Sequence, residues 1–165
     1  MTELQLLDLG HAAALLDFEL TNRAYFAASI SDRGDDFFEQ FTERLEARLA
    51  EQRAGEAAYH VLVAEDGSVL GRFNLIFTAD HVAVLGFRVA ERAAGRGLAT
   101  DTVRLLCQLA ASRYDLRKLE AGSSLQNLAS QKVLTNAGFR PVGPADPADL
   151  GGKPGTWYEL ALGDE

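Results

Sequence analysis

The stretch Phe87-Arg88-Val89-Ala90-Glu91-Arg92-Ala93-Ala94-Gly95-Arg96-Gly97-Leu98-Ala99-Thr100 joins an apolar, β-branched run to a helical one. Upstream, Val82 to Val89 has the composition of a strand. Downstream, a helix is expected from Leu98 to about Tyr114, with Leu98, Thr102, Leu105, Leu106 and Leu109 on one face. Gly95 and Gly97 sit at the entry of that helix. Glycines there let the backbone approach a ligand closely, and the N–H groups of a first helical turn have no partner inside the helix. Together they form a cradle for an anion, above all a phosphate, at the positive end of the helix dipole. Taken alone, Gly-x-Gly also fits an ordinary tight turn. The Gly-Lys-Ser/Thr of a Walker loop is missing, as are the spacing and downstream acid of a dinucleotide fingerprint.

Working outward, Tyr59 to Glu65 and Val69 to Thr78 read as strands, joined across Asp66-Gly67, a dipeptide that marks a tight hairpin. Further upstream lie a short strand from Leu4 to Leu7 and an amphipathic helix from Ala12 to Leu20 carrying Leu15, Leu16 and Phe18. One longer helix is expected from Asp35 to about Ala54, because Phe37, Phe38, Phe41, Leu45 and Leu49 recur at helical spacing. Its acidic start, Asp35, Asp36 and Glu39, suits a helix N-terminus. Toward the C-terminus come a strand from Lys118 to Ser123, a helix from Leu128 to Ala137, and strands near Phe139 to Val142 and Thr156 to Leu162. The last two are linked by a loop from Pro144 to Gly155. The order predicts a mixed α/β (α+β) domain spanning residues 1–165, with a parallel strand–helix–strand crossover in the middle.

At 165 residues the chain is long enough to bury a core without staples. No apolar run approaches the ~18 residues of a membrane span, and the start, Met1-Thr2-Glu3-Leu4-Gln5, lacks the features of an export signal. A cytoplasmic location and no membrane partner are expected. The single Cys107 falls in a helical apolar pattern and reads as a small core residue rather than a reactive thiol. His11, His60 and His81 lack metal-ligand spacing, so no metal is expected. The net charge of −8 disfavours direct nucleic-acid binding and points, as a hint, to a cationic partner.

Arg92-x-x-Gly95-x-Gly97 resembles the Gln/Arg-x-x-Gly-x-Gly/Ala signature of the GNAT superfamily of acetyltransferases. Asn127-Leu128-Ala129-Ser130, followed by Val133-Leu134 and Gly138-Phe139, is similar to the Asn-x-x-Ser…Gly-Phe segment of its RimJ/RimL-like branch, as are Leu85 to Val89 and Thr21-Asn22-Arg23. The resemblance covers residues 4 to 162. It implies a sheet of about six to seven strands flanked by about four helices, splayed between two central parallel strands. It also implies acetyl-CoA as cosubstrate. Backbone amides of Gly95, Arg96, Gly97, Leu98, Ala99 and Thr100 would hold its pyrophosphate, with Arg92 and Arg96 adding charge at the rim. Main-chain groups of Phe87, Arg88 and Val89 would pair with the pantetheine arm, and Asn127 and Ser130 would lie near the thioester. Simpler roles stand beside these: Asn127 as a helix cap, Gly138 as a helix-ending glycine, Phe139 as core, and Arg88 and Arg96 as solvated charges.

The implied reaction is direct attack of a neutral amine on the thioester. Many relatives place a tyrosine where this chain has Leu134, so Ser130, or water held by it, is the candidate donor to the leaving thiolate; Ser130 also fits a helix serine bonding its own backbone. Relatives with a glutamate on the central strand differ from Ala83-Val84-Leu85 here, which leaves Glu120 as the first carboxylate to consider as base, although its neighbours Leu119 and Ala121 put it on the opposite face. A dedicated base is dispensable for an α-amine: with a pKa near ~8, roughly a tenth is neutral at pH 7, against less than about a thousandth of a lysine near ~10.4. Asn22, Arg23, Tyr25, Phe26, Asp32, Asp35 and Asp36 are candidate walls of the acceptor site. A ribosomal-protein N-terminus, a polyamine or an aminoglycoside is the implied acceptor, for a monomer or homodimer. A catalytically silent CoA-binding sensor or scaffold fits the same motifs, and a domain with a mere glycine turn fits the residues alone.

Overall fold

Seven strands form one sheet in the computed structural model, which describes residues 1–163. They are β1 (Thr2–Leu6), β2 (Ala57–Ala64), β3 (Val69–Ala79), β4 (Val82–Val89), β5 (Lys118–Ser124), β6 (Arg140–Pro144) and β7 (Gly155–Ala161), in the spatial order β1-β2-β3-β4-β5-β7-β6. Every neighbouring pair is antiparallel except β4 and β5, which the expected crossover makes parallel. Six helices accompany the sheet: α1 (Ala12–Thr21), α2 (Arg23–Ala27), α3 (Asp35–Glu39), α4 (Phe41–Arg53), α5 (Leu98–Ser112) and α6 (Leu128–Asn136). No helix among the described residues is long and apolar enough to cross a membrane.

Both faces of the sheet are covered, which explains the nearly continuous burial of β2. Ala58 and Leu62 of β2 join Phe73, Leu75, Leu85, Val103, Leu106, Leu119 and Leu134 in a core beneath α5 and α6. The alternate residues Ala57, Tyr59 and Val61 pack with Leu15, Phe18, Phe26, Phe41, Leu45 and Leu49 beneath α1 to α4. The buried stripe of α5 runs through Thr102, Val103, Leu106 and Ala110, while Leu105, expected on it, is 42% exposed. Cys107 is partly buried against that core, and burial raises its thiol to about 11, the behaviour of an inert packing residue.

The helical region expected from Asp35 to Ala54 is broken at Gln40, whose φ of −107° and ψ of 27° separate α3 from α4. Phe37 and Phe41, on either side of the break, meet edge-on with centroids 5.7 Å apart in one apolar cluster. Periodicity alone carries the same phase through both pieces and does not reveal the corner. With α2 also separate, the count is six helices rather than about four.

His60 of β2 is 2% exposed, and its Nε2 lies 3.0 Å from the Tyr114 hydroxyl. Burial brings its pKa down to about 4 from 6.5. The folded state therefore keeps this ring neutral while the unfolded chain takes up a proton. Its contribution is complete above about pH 6.5 and is lost as pH falls toward about 4. Urea unfolding should show a stability about 2–3 kcal/mol lower at pH 4.5 than at pH 7.5, and His60→Phe should remove most of that difference. An undiminished difference in His60→Phe would assign it to other groups.

Candidate active site

β4 and β5 run together only through the pairs Val82 with Lys118, Ala83 with Leu119 and Val84 with Glu120. Beyond them the strands part, each held on its other edge: β4 to β3 as far as Val89, β5 to β7 as far as Ser124. A cleft of about 350 Å³ opens between them, with Leu85 to Arg88 on one side and Ala121 to Ser124 on the other. The Ala90 N–H donates to the Leu70 carbonyl at 2.8 Å, in register with the β3–β4 ladder. Peptide groups alternate in direction along a strand, so the main-chain groups of Leu85, Phe87 and Val89 face the gap.

At the head of α5, Gly97 occupies the left-handed region with φ 76°, and Gly95 has φ 78°. The first backbone bond of the helix runs from Asp101 N–H to Gly97 O, and the N–H groups of residues 95–100 find no acceptor among the described residues. A Cβ on either glycine would meet nothing within 4 Å, so it is the positive φ and not crowding that favours glycine at both positions. Arg92 and Arg96 stand exposed at the rim; Arg92 donates to the Ser68 hydroxyl at 2.6 Å and Arg96 to the Arg92 carbonyl at 2.8 Å.

Across the gap, the side-chain Oδ1 of Asn127 accepts the Ser130 N–H at 3.1 Å and caps α6. Both residues line the cleft. The Ser130 hydroxyl does not bond its own helix, whereas those of Thr102 and Ser112 donate to carbonyls four residues back, each at 2.8 Å. Leu134 and Phe139 are core residues, and Gly138, with φ 101°, ends the helix.

A family model for the acetyltransferase (GNAT) domain matches residues 3–140. This chain belongs to the GNAT acetyltransferase family. It is thereby an acetyl-CoA-dependent N-acetyltransferase. It is 29% identical over 145 residues to the probable N-acetyltransferase YjcK of Bacillus subtilis strain 168, a match covering 84% of this chain and 80% of that protein. The fold is similar to that of a ribosomal-protein-S5-alanine acetyltransferase from Vibrio fischeri, with a TM-score of 0.89, 20% identity and coverage of 99% and 94% of the two chains. It is similar also to RimJ of Mycobacterium smegmatis in complex with CoA-disulfide, with a TM-score of 0.84, 21% identity and coverage of 97% and 81%.

Several residues read from the sequence lie elsewhere in this GNAT enzyme. Glu120 is not among the residues lining the cleft; it lies beside Lys118 Nζ at 3.4 Å, in a group that includes Glu159. Asn22 is buried and structural: its Nδ2 donates to the Phe18 carbonyl at 2.9 Å, and its Oδ1 accepts the Glu91 N–H at 3.0 Å, tying α1 to the approach of the glycine loop. Arg23 is held by Asp32 and Asp35, each at 2.8 Å, and stacks on Phe38. Phe26 is core, with half-buried Tyr25 against it. The cleft wall begins just after them, at Ile30, Ser31 and Arg33.

Arg88 is not a solvated charge. Its side chain is 17% exposed, its guanidinium lies 4.8 Å from the Phe26 ring centre and 3.4 Å from Glu19 Oε1, and burial brings its pKa down to about 10. Glu19, 1% exposed, also accepts from Arg33 at 2.9 Å and Arg72 at 2.7 Å. Burial opposes its ionisation, but Arg33, Arg72 and Arg88 outweigh it and hold the carboxyl below its ordinary value. Glu19 is therefore a fixed counter-charge and not a base. Its partners stand 14, 53 and 69 residues away in sequence, which hides the group from any local reading. Glu19→Gln would leave three guanidiniums without their anion. Denaturant unfolding should show a loss of about 3–5 kcal/mol; a change under about 1 kcal/mol would contradict this role.

Proposed function

We propose that this enzyme acetylates a primary amine, an N-terminal α-amine of a protein or a small-molecule amine, by direct attack in a ternary complex with acetyl-CoA. The observation that carries this reading is the presence, on one chain segment, of two sets of unpaired backbone groups, one along the β4 edge of the strand gap and one at the head of α5. In it, the amides of residues 95–100 take the pyrophosphate, with Arg92 and Arg96 at the rim. Phe87 and Val89 pair with the pantetheine arm as a neighbouring strand would. The same pairing directs the thioester toward α6, where Asn127 and Ser130 line the cleft.

The nitrogen lone pair attacks the thioester carbonyl carbon, and a main-chain N–H of the Phe87–Val89 segment steadies the developing oxyanion. The C–S bond then breaks, the nitrogen gives up its proton to solvent, and the thiolate takes one from water held by Ser130 or from the Ser130 hydroxyl, which regains it from solvent in the same relay. No carboxylate in the cleft has to act as base if the acceptor is an α-amine, since about a tenth is neutral near pH 7. That is what favours an α-amine over a lysine side chain.

Two variants test the assignment. Gly97→Val costs about 1–2 kcal/mol for a β-carbon in the left-handed region and fills the space before the amides. Calorimetry should show no acetyl-CoA binding by a protein that still unfolds cooperatively; unchanged affinity would sink the phosphate seat. Ser130→Ala should lower kcat at least about tenfold with little change in acetyl-CoA affinity, and an unaltered rate would remove Ser130 from the chemistry. Saturable acetyl-CoA binding without thiol release for any amine would leave only the sensor reading.

A further inference from the structure

The charge lining the acceptor side of the cleft is opposite to that of the whole chain. Arg33, Arg72, Arg88 and Lys153 line it, against Asp149 alone, with Glu19 behind. Resting on the acetyltransferase reading above, we infer that the acceptor amine carries a carboxylate near the reacting nitrogen, and that Arg33, Arg72 and Arg88 receive it.

Each guanidinium carries five N–H donors in a planar fork. Glu19 takes one from each of the three, at 2.9, 2.7 and 3.4 Å, and no other side-chain hydrogen bond from them reaches the described residues. These side chains are only 27%, 8% and 17% exposed, and all three line the cleft. A carboxylate entering the cleft can meet such a guanidinium in bidentate geometry, which its unused donors permit. A polyamine or aminoglycoside would bring further positive charge to a site that already has an excess of it.

Asn74 supplies the other end of the ligand. Its Oδ1 is buried without a partner among the described residues, and the residue lines the same cleft. It pairs with Gly86 across the ladder, beside the segment that would carry the thioester, and shares a strand face with Arg72 two positions away. Two positions along a strand span about 6–7 Å. An N–H of the amine at Asn74 and a carboxylate at the arginines therefore fit within one small molecule or the first residues of a peptide. The wall is closed by the Ser31 hydroxyl donating to the Gly151 carbonyl at 3.1 Å, which ties the α2–α3 segment to the loop before β7.

Thiol release by the native enzyme tests this with matched acceptors. Ser-Glu-Ala amide is compared with Ser-Gln-Ala and Ser-Lys-Ala amides, and glutamic acid α-amide with glutaminamide. The carboxylate member of at least one pair should have a kcat/KM about tenfold or more above its partner, and the pair that shows it tells a peptide from a small molecule. Arg33→Gln should erase that preference through KM while acetyl-CoA affinity stays unchanged, and Arg33→Glu should turn it toward Ser-Lys-Ala. Equal rates across both pairs, a preference for the lysine peptide, or a loss of acetyl-CoA affinity in Arg33→Gln would each overturn the inference and leave the acetyltransferase reading standing. Absence of thiol release with every amine would overturn both.

Discussion

The parting of β4 from β5 after Val84 and Glu120 is the constraint on which the rest of the molecule depends. Interior strands normally pair along their length, because a peptide group removed from water and left without a partner is costly. Here two central strands stop pairing in the middle of the sheet. They are kept apart by their outer partners, β3 and β7, whose antiparallel ladders continue past the point of divergence. The chain leaving β4 turns through Glu91–Ala93 into the glycine loop and α5, and the chain leaving β5 turns into α6. One departure from regular pairing therefore positions the main-chain edge and the Asn127–Ser130 corner around a single gap, with the helix entrance next along the chain from β4.

The electrostatics of that gap differ from those of the surface. The net charge of −8 belongs to the whole chain, whereas arginines dominate the acceptor side. Glu19 makes this arrangement tolerable: it lies beneath the cleft and neutralises part of three guanidiniums that would otherwise repel one another. The same group stabilises the joint between α1 and the strands β3 and β4.

Most of the fold was legible in the sequence, because strand and helix periods are local and strong here. The run Val82–Val89 and the start of α5 at Leu98 agree with the structure to the residue. Element ends shifted by one or two positions, and the corner at Gln40 was invisible because the apolar spacing keeps the same phase on both sides of it. The glycine loop was legible for the same local reason. The cleft lining was not: Asn22, Arg23 and Phe26 make contacts away from it, while Arg33, Arg72 and Asn74 reach it only when distant segments meet. Arg72 and Asn74, polar residues at alternate positions within the apolar run Val69-Leu70-Gly71-Arg72-Phe73-Asn74-Leu75-Ile76, are the local sign that one face of this strand meets something polar.

Amide hydrogen exchange, followed residue by residue with and without acetyl-CoA, tests most directly whether the gap and the helix entrance form one continuous seat. The cofactor should slow exchange together at Phe87, Val89 and residues 97–100, and leave the already paired amides of Gly86 and Arg88 little changed. Slowing confined to another face of the protein, or none at a saturating concentration, would contradict it.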